Sequence, residues 1–114
     1  MAAIKSYTDL EQSKKMAEFL PLESADMRFC FSHTLGGRIT GHYPMIGSEP
    51  SLGTVPCWSL TALLDVIPSG KALIHDKGNL GYKCICNNMD TCFHDSPVDA
   101  CVEMIEKLHE QNLI

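Results

Sequence analysis

The stretch TVPCWSLTALLDVIP, residues 54–68, lies near the middle of the chain and decides how the rest is interpreted. Ser59 is a typical N-cap, because its hydroxyl accepts from the free backbone N–H groups of a helix's first turn. Four apolar residues then recur at i, i+3, i+4 and i+7, the spacing of one helical face: Leu60, Leu63, Leu64 and Ile67. Pro68 ends the segment. The stretch therefore predicts a short buried helix that separates two pairs of strands.

Trp58, the only tryptophan, has two interpretations. It directly precedes the cap, and Leu63 occupies the fourth helical position, which is the geometry of a hydrophobic staple. A large aromatic side chain in this position is typical of a core anchor. The alternative is that the indole stacks on the ring of a bound ligand.

Length and charge restrict the class of protein. The 114 residues predict a single domain, 1–114, that buries roughly two thirds of its unfolded surface. A net charge of −5 and a pI near 5.4 argue against a general nucleic-acid binder, which would be net basic. The first residues lack the pattern of a signal peptide, and no run reaches the ~18 apolar residues of a membrane span. We therefore expect a cytoplasmic protein without a membrane partner.

The residues before the central stretch predict one helix and one β-hairpin. Thr8 and Glu11 fit a capping box, and Pro21 ends the helix that follows. Alternation of large apolar with smaller or polar residues predicts the two strands. The predicted elements are a helix at 8–20, strands at 27–33 and 38–43 with a turn at 35–37, and a loop at 44–54.

The residues after the central stretch predict a second hairpin and a last helix. The strands are predicted at 71–75 and 80–87, and 88–95 stays unassigned. Ser96 caps the helix and Pro97 occupies its first position, where the missing N–H costs nothing. Its buried stripe is predicted to be Val98, Cys101, Val102, Ile105 and Leu108.

The predicted order is α-ββ-α-ββ-α, which places the chain in the α+β class. We expect the two hairpins to join in one four-stranded, mostly antiparallel sheet, with the helices packed on one face.

The predicted strands share an unusual charge pattern. They contain four basic residues and no Asp or Glu, although acids outnumber bases in the chain: Arg28, Arg38, Lys71 and Lys83. Alternation places Arg28, Arg38 and His42 on the face opposite Phe29 and Tyr43. Arginine presents two donors to a phosphate or carboxylate, so this face suits a small anion. The alternative is that the basic residues only solvate and guard an exposed sheet. The candidate ligand-binding residues are Arg28, Arg38, His42, Tyr43, Trp58 and Tyr82.

The chain also holds a candidate metal site. Six cysteines without an export signal favour reduced thiols or metal ligands over disulfides. Cys84 and Cys86 share one strand face, and Cys92 with His94 completes a set of three thiols and an imidazole that suits tetrahedral zinc. The spacing differs from the usual C-x2-C knuckle. The alternative is that these are ordinary buried cysteines and the protein has no cofactor.

A thiol enzyme is the third candidate. Cys57 precedes the central helix, and His75 or His42 would activate it. With Ser59 as the cap, however, Cys57 lies two residues too early to benefit from the helix dipole, and no third orienting residue can be named. The chain has no G-x-G-x-x-G, H-E-x-x-H or calcium-loop motif. We therefore expect a non-enzymatic protein.

Three segments together carry a resemblance: LPLESADM at 20–27, PCWSLTALLDVIP at 56–68 and SPVDACVEMI at 96–105. They resemble a family of small uncharacterised proteins encoded by phages, prophages and mobile elements of Bacteroides-type bacteria. The resemblance spans most of the chain and places the protein in the cytoplasm of a bacterial host. It supplies no functional residues.

The resemblance implies action by binding. Some compact, acidic, non-catalytic phage proteins block a host defence enzyme, and others sequester a nucleotide immune signal. The resemblance implies the second mode here, with a cyclic nucleotide or ADP-ribose derivative held by the basic sheet face. Alternatively, the acidic helices inhibit a host protein; a third interpretation is a small zinc-stabilised structural domain. A sequestering protein gains ligand contact by oligomerising, so an exposed sheet face with Cys30 and Ile85 is a candidate homo-oligomer interface.

Overall fold

The computed structural model describes residues 5–33, 39–46, 54–76, 78 and 80–114. It confirms the α+β class. In chain order the elements are α1 (Leu10–Ala17), a 3-10 turn (Leu22–Ser24), β1 (Met27–His33), β2 (Ile39–Ile46), β3 (Val55–Cys57), α2 (Leu60–Val66), β4 (Lys71–Asp76), β5 (Gly81–Cys86), β6 (Met89–Asp90) and α3 (Pro97–Glu110). Within the described ranges, no helix has both the length and the apolar composition needed to cross a membrane.

The strands form two antiparallel sheets of three strands each, ordered β2-β1-β3 and β4-β5-β6. The single four-stranded sheet predicted from the sequence is not confirmed. Each strand pair gains a short third strand instead: β3, which leads into α2, and β6, from the segment that the sequence left unassigned. Among the described residues, β3 pairs with the edge of β1 opposite β2, and β6 pairs with the edge of β5 opposite β4.

The strand β2 continues three residues past its predicted end, through Pro44 to Ile46. Proline is tolerated there because β2 is an outer strand of its sheet among the described residues.

The start of α2 is fixed by two other segments. Ser59 caps the helix as predicted, since its Oγ accepts from the Ala62 amide at 3.2 Å. The Asp26 carboxylate, next to the start of β1, accepts from the Ser59 amide at 2.9 Å and from the Ser59 hydroxyl. The chain before α1 runs alongside, and the Thr8 amide donates to the Trp58 carbonyl at 2.9 Å.

The cap of α1 lies one residue later than predicted. Asp9 accepts from the Gln12 amide at 2.7 Å, and the Gln12 side chain accepts from the Asp9 amide. Thr8 is not the cap because its hydroxyl has a tertiary role: it bonds to Ser13 Oγ at 2.8 Å and accepts from the Trp58 amide at 3.1 Å.

The core lies around α3, whose cap on Ser96 and first-turn Pro97 are confirmed. All five residues of its predicted stripe are buried: Val98, Cys101, Val102, Ile105 and Leu108. Trp58 and Leu63 belong to the same core, as the staple predicts. Trp58 has no exposed surface, and its indole N–H donates to Ser24 Oγ at 3.0 Å. Trp58 is therefore a core anchor in this structure, and its ring has no exposed surface on which a ligand could stack.

A close backbone contact joins β5 to the segment after β6. The amides of Tyr82 and His94 each donate to the other's carbonyl at 2.7 Å. Gly81, with φ +92°, precedes this pair, and a Cβ placed on it would lie 2.1 Å from the His94 carbonyl oxygen. Only glycine fits there.

Candidate functional site

The register of β1 with its two neighbours assembles the candidate site. Arg28 lies opposite Met45 on one side and Pro56 on the other, and Cys30 lies opposite Tyr43. Directly opposed residues share a sheet face, and so do residues two apart along a strand. The Cys30 thiol accordingly donates to Met45 Sδ at 3.4 Å. We call these five residues the Arg28 face.

The two sides of this sheet differ in exposure. Phe29, which projects to the other side, is 3% exposed, and the Tyr7 ring lies edge-on to it with centroids 6.2 Å apart. On the Arg28 face, by contrast, Tyr43 is 45% and Met45 41% exposed. The Arg28 face thus combines a half-buried arginine with an exposed phenol ring and apolar side chains.

This pairing has a definite binding chemistry. Arg28 offers several N–H donors in the planar fork that matches a phosphate. An exposed ring such as that of Tyr43 offers a stacking surface for a nucleobase. The Arg28 face therefore suits a ligand that has both an anionic group and a ring.

The register corrects the predicted composition of this face. Alternation within each strand placed Tyr43 with Phe29 and His42 with Arg28, whereas β2 pairs Tyr43 with Cys30 and His42 with Phe31. Alternation cannot reveal the offset between two strands, and an offset of one residue exchanges the faces. Of His42 the structure describes only the backbone, and Arg38 lies outside the described residues.

The two remaining predicted ligand-binding residues are elsewhere. Trp58 is in the core, and Tyr82 belongs to the second sheet, where it packs against the core. The Tyr82 ring stacks on the His75 imidazole, with centroids 4.2 Å apart and planes 8° apart. Among the predicted set, the described structure unites Arg28 with Tyr43 only.

The predicted zinc ligands are not brought together. Cys84 and Cys86 are fully buried because their side of β5 faces α3, whereas Cys92 is exposed. Thr91, not Cys92, pairs with Cys84, and the His94 ring bonds to Glu103 at 2.6 Å. Across the described ranges, no three His, Cys, Asp or Glu side chains are arranged to hold a metal.

The Cys84 thiol has a different partner, Cys101 of α3. The hydrogen bond to Cys84, together with burial, raises the pKa of the Cys101 thiol. The same contact lowers the pKa of the Cys84 thiol.

The predicted thiol nucleophile Cys57 lies in the core, and one of its two candidate bases, His75, lies on the other sheet; of the second, His42, the structure describes only the backbone. Cys57 is fully buried, and its Sγ donates to the Thr8 carbonyl at 3.4 Å. Burial raises the pKa of the Cys57 thiol. His75 is exposed on β4 and stacks on Tyr82 instead. In the described structure Cys57 is therefore a core thiol.

The acidic residues of α3 pair with cations of the same chain. Asp99 lies 2.6 Å from Lys5, and Glu106 lies 3.2 Å from Lys15. Glu103 lies 3.3 Å from Lys107, besides its contact with His94. Burial would raise the pKa of Glu103, but the hydrogen bonds from His94 and Lys107 outweigh burial and lower it.

These carboxylates line a cleft of about 370 Å³ between α1 and α3. No local pattern indicates this cleft, because its walls come from α1 and α3, which are linked by the contact of Lys15 with Glu106. A second cleft of about 630 Å³, between the 3-10 turn and α2, is lined by Glu23, Asp26, Asp65 and Lys71 among others. Both clefts are richer in carboxylates than in cations, so neither suits an anion.

Comparison of the chain with protein-family models, with curated proteins and with solved structures found no match.

Proposed function

We propose that this protein binds a small nucleotide-derived anion on the Arg28 face and does not transform it. The observation that carries the proposal is the register, which places Arg28 and the 45%-exposed Tyr43 ring on the same face of one sheet. A guanidinium for the phosphate and a ring for the base are the two groups that such a ligand needs.

The resemblance to phage and mobile-element proteins supplies a role for this binding. A protein that sequesters a cyclic nucleotide or ADP-ribose immune signal in the host cytoplasm protects the phage from the receptor of that signal. Such a role needs stoichiometric binding and no catalytic group. A buried Cys57 and a surface-exposed His75 agree with a non-enzymatic role.

Inhibition of a host protein through the acidic helices is the weaker alternative. A basic partner would have to displace Lys5, Lys15 and Lys107 from the carboxylates of α3. The zinc-stabilised domain is weaker still, because Cys84 bonds to Cys101 instead of joining Cys92.

Calorimetric titration with a panel of cyclic dinucleotides, cyclic ADP-ribose and ADP-ribose tests the proposal. We expect one panel member to bind and to be recovered unchanged by chromatography. Arg28→Ala removes a charge-assisted hydrogen bond of about 1.5–3 kcal/mol, which is roughly a 10- to 150-fold loss of affinity. Tyr43→Ala removes about 1–3 kcal/mol of stacking.

Lys83→Ala is the matched control, since Lys83 is a strand cation in the other sheet, 3.6 Å from Asp90. It should bind like the wild type. The proposal fails if no panel member binds, or if Arg28→Ala and Lys83→Ala have the same affinity. A host protein that still binds Arg28→Glu but not Glu106→Lys would instead support the acidic-helix alternative.

A further inference from the structure

Two buried thiols meet where β5 packs on α3. Cys84 of β5 and Cys101 of α3 have no exposed surface, and their side chains are in hydrogen-bond contact. Both belong to the apolar core, and they come from two different elements of the fold. The binding proposed for the Arg28 face uses neither thiol.

We infer that Cys84 and Cys101 are a modification site, a dithiol that a peroxide oxidises to an intramolecular disulfide joining β5 to α3. The contact between the two side chains carries this inference. A disulfide needs Cα atoms less than ~7 Å apart, so it forms readily only between cysteines that the fold already holds together. The inference is independent of the proposed function.

The contact gives the two thiols different roles. The hydrogen bond from Cys101, together with the positive charge of Lys71, lowers the pKa of the Cys84 thiol, whereas the same hydrogen bond and burial raise the pKa of Cys101. The thiolate is the nucleophile toward an oxidant. Cys84 is therefore the thiol that attacks the peroxide, and Cys101 is the thiol that resolves the product.

Hydrogen peroxide completes the reaction in two steps. The Cys84 sulfur attacks a peroxide oxygen, so that an S–O bond forms, the O–O bond breaks, and the departing hydroxide leaves as water with the Cys84 proton. The Cys101 sulfur then attacks the resulting sulfenic acid, so that an S–S bond forms, the S–O bond breaks, and a second water leaves with the Cys101 proton. The two sulfurs are oxidised and the peroxide is reduced.

Lys71 connects the buried pair with solvent. It lies opposite Cys86 in the register of β4 with β5, and Cys84 shares that sheet face. The Lys71 side chain also lines the cleft of about 630 Å³ and is exposed, with its ammonium group 2.9 Å from the Ile67 carbonyl. When this flexible side chain moves, a molecule as small as hydrogen peroxide can reach the pair from the cleft, whereas a maleimide is too large.

Peroxide treatment of the folded, reduced Cys30→Ser/Cys92→Ser variant tests the inference, because this variant lacks the two cysteines that are not buried. After catalase treatment and unfolding, only Cys57 and Cys86 should react with N-ethylmaleimide, and the intact mass should be lower by two hydrogens. An Asp-specific protease cuts before Asp90 and Asp99 and separates the two partners, so the linked peptides identify the disulfide.

The other buried cysteines supply matched controls. Cys57 is equally buried, but its thiol donates to the Thr8 carbonyl, and it should be oxidised at least about tenfold more slowly than Cys84. In the same background, Cys86→Ser should still form the disulfide. Cys101→Ser should instead accumulate a sulfenic acid on Cys84 that dimedone traps.

Thermal melts give a second readout. The disulfide closes the loop of residues 84–101 and should raise the melting temperature by about 5–15 °C, and dithiothreitol should reverse this shift.

Three results would overturn the inference. In the first, Cys84 and Cys101 still react with N-ethylmaleimide after the folded protein has been treated with peroxide. In the second, the linked peptides join Cys101 to Cys86 or Cys57. In the third, the disulfide forms only in urea, which would mean that peroxide does not reach the pair in the native fold.

Discussion

Gly81→Ala should be among the most destabilising conservative changes in the second sheet. A φ of +92° costs a residue with a Cβ about 1–2 kcal/mol. The new methyl would lie 2.1 Å from the His94 carbonyl oxygen and 2.9 Å from its carbon, where ordinary contact begins at 3.4 Å. The backbone must therefore separate by more than 1 Å.

That separation breaks the paired hydrogen bonds between Tyr82 and His94, both 2.7 Å long. Each contributes about 0.5–1.5 kcal/mol, so the total loss is about 2–5 kcal/mol. Gly70→Ala is the matched control. Its φ is +87°, but a Cβ there meets only Asn87 Oδ1, at 3.5 Å. It should lose about 1–2 kcal/mol, the cost of φ alone.

Urea denaturation followed by the fluorescence of Trp58 measures both variants. The single tryptophan is fully buried and reports directly on the core. Gly81→Ala should lose about 1–3 kcal/mol more than Gly70→Ala. Equal losses in the two variants would refute the argument, because the contact with His94 would then cost nothing.

Three further predictions follow from single contacts. Acrylamide should quench the fluorescence of Trp58 far less than that of free tryptophan, because the residue is buried. The nucleotides of the binding panel should not shift its emission. A shift caused by one of them would contradict its place in the core. Asp26→Ala should lower the free energy of unfolding by about 1–2 kcal/mol in urea melts, because Ser59 loses two hydrogen bonds. The control Asp65→Ala, on the exposed side of α2, should change it by less than about 0.5 kcal/mol. Because the pKa of Glu103 is lowered in the folded state, its stabilising effect is present above its usual pKa of 4.5 and is lost as pH falls through the lower folded value. Between pH 6 and pH 3, Glu103→Gln should therefore lose less stability than the wild type, and the difference should be under about 1 kcal/mol. Thermal melts at each pH measure this. Equal losses of stability in the two proteins would contradict the prediction.

Local signals predicted the parts of the fold that local physics determines. Ser59 and Ser96 cap α2 and α3 as expected, because an N-cap depends on residues three apart in sequence. Thr8 has the same chemistry, but tertiary bonds to Ser13 and Trp58 occupy its hydroxyl, and the cap moves to Asp9. Nothing within four residues of Thr8 reveals that competition.

Contacts between residues distant in sequence also determine the two sheets. The strands β3 and β6 have three and two residues, too few for an alternating pattern, and they form only because β1 and β5 offer open backbone groups. The division into two sheets follows from these pairings and could not be predicted.

The candidate site was predicted in part. Arg28 was identified as one of the basic residues in predicted strands that contain no Asp or Glu. The placement of Tyr43 beside it required the register of β1 with β2. The predicted zinc set depended on the same kind of information, because the face of β5 that carries Cys84 turns toward α3 and away from the exposed Cys92.

The burial of cysteines has a consequence for labelling chemistry. Cys57, Cys84, Cys86 and Cys101 are enclosed, whereas Cys92 is exposed and Cys30 is half-buried on the Arg28 face. A maleimide should modify Cys92 first and Cys30 more slowly, while the other four react only on unfolding. In a Cys92→Ser background, Cys30 becomes the one reachable attachment point for an environment-sensitive dye, located next to Met45. A dye attached to this native thiol would report on the binding of a ligand to the Arg28 face.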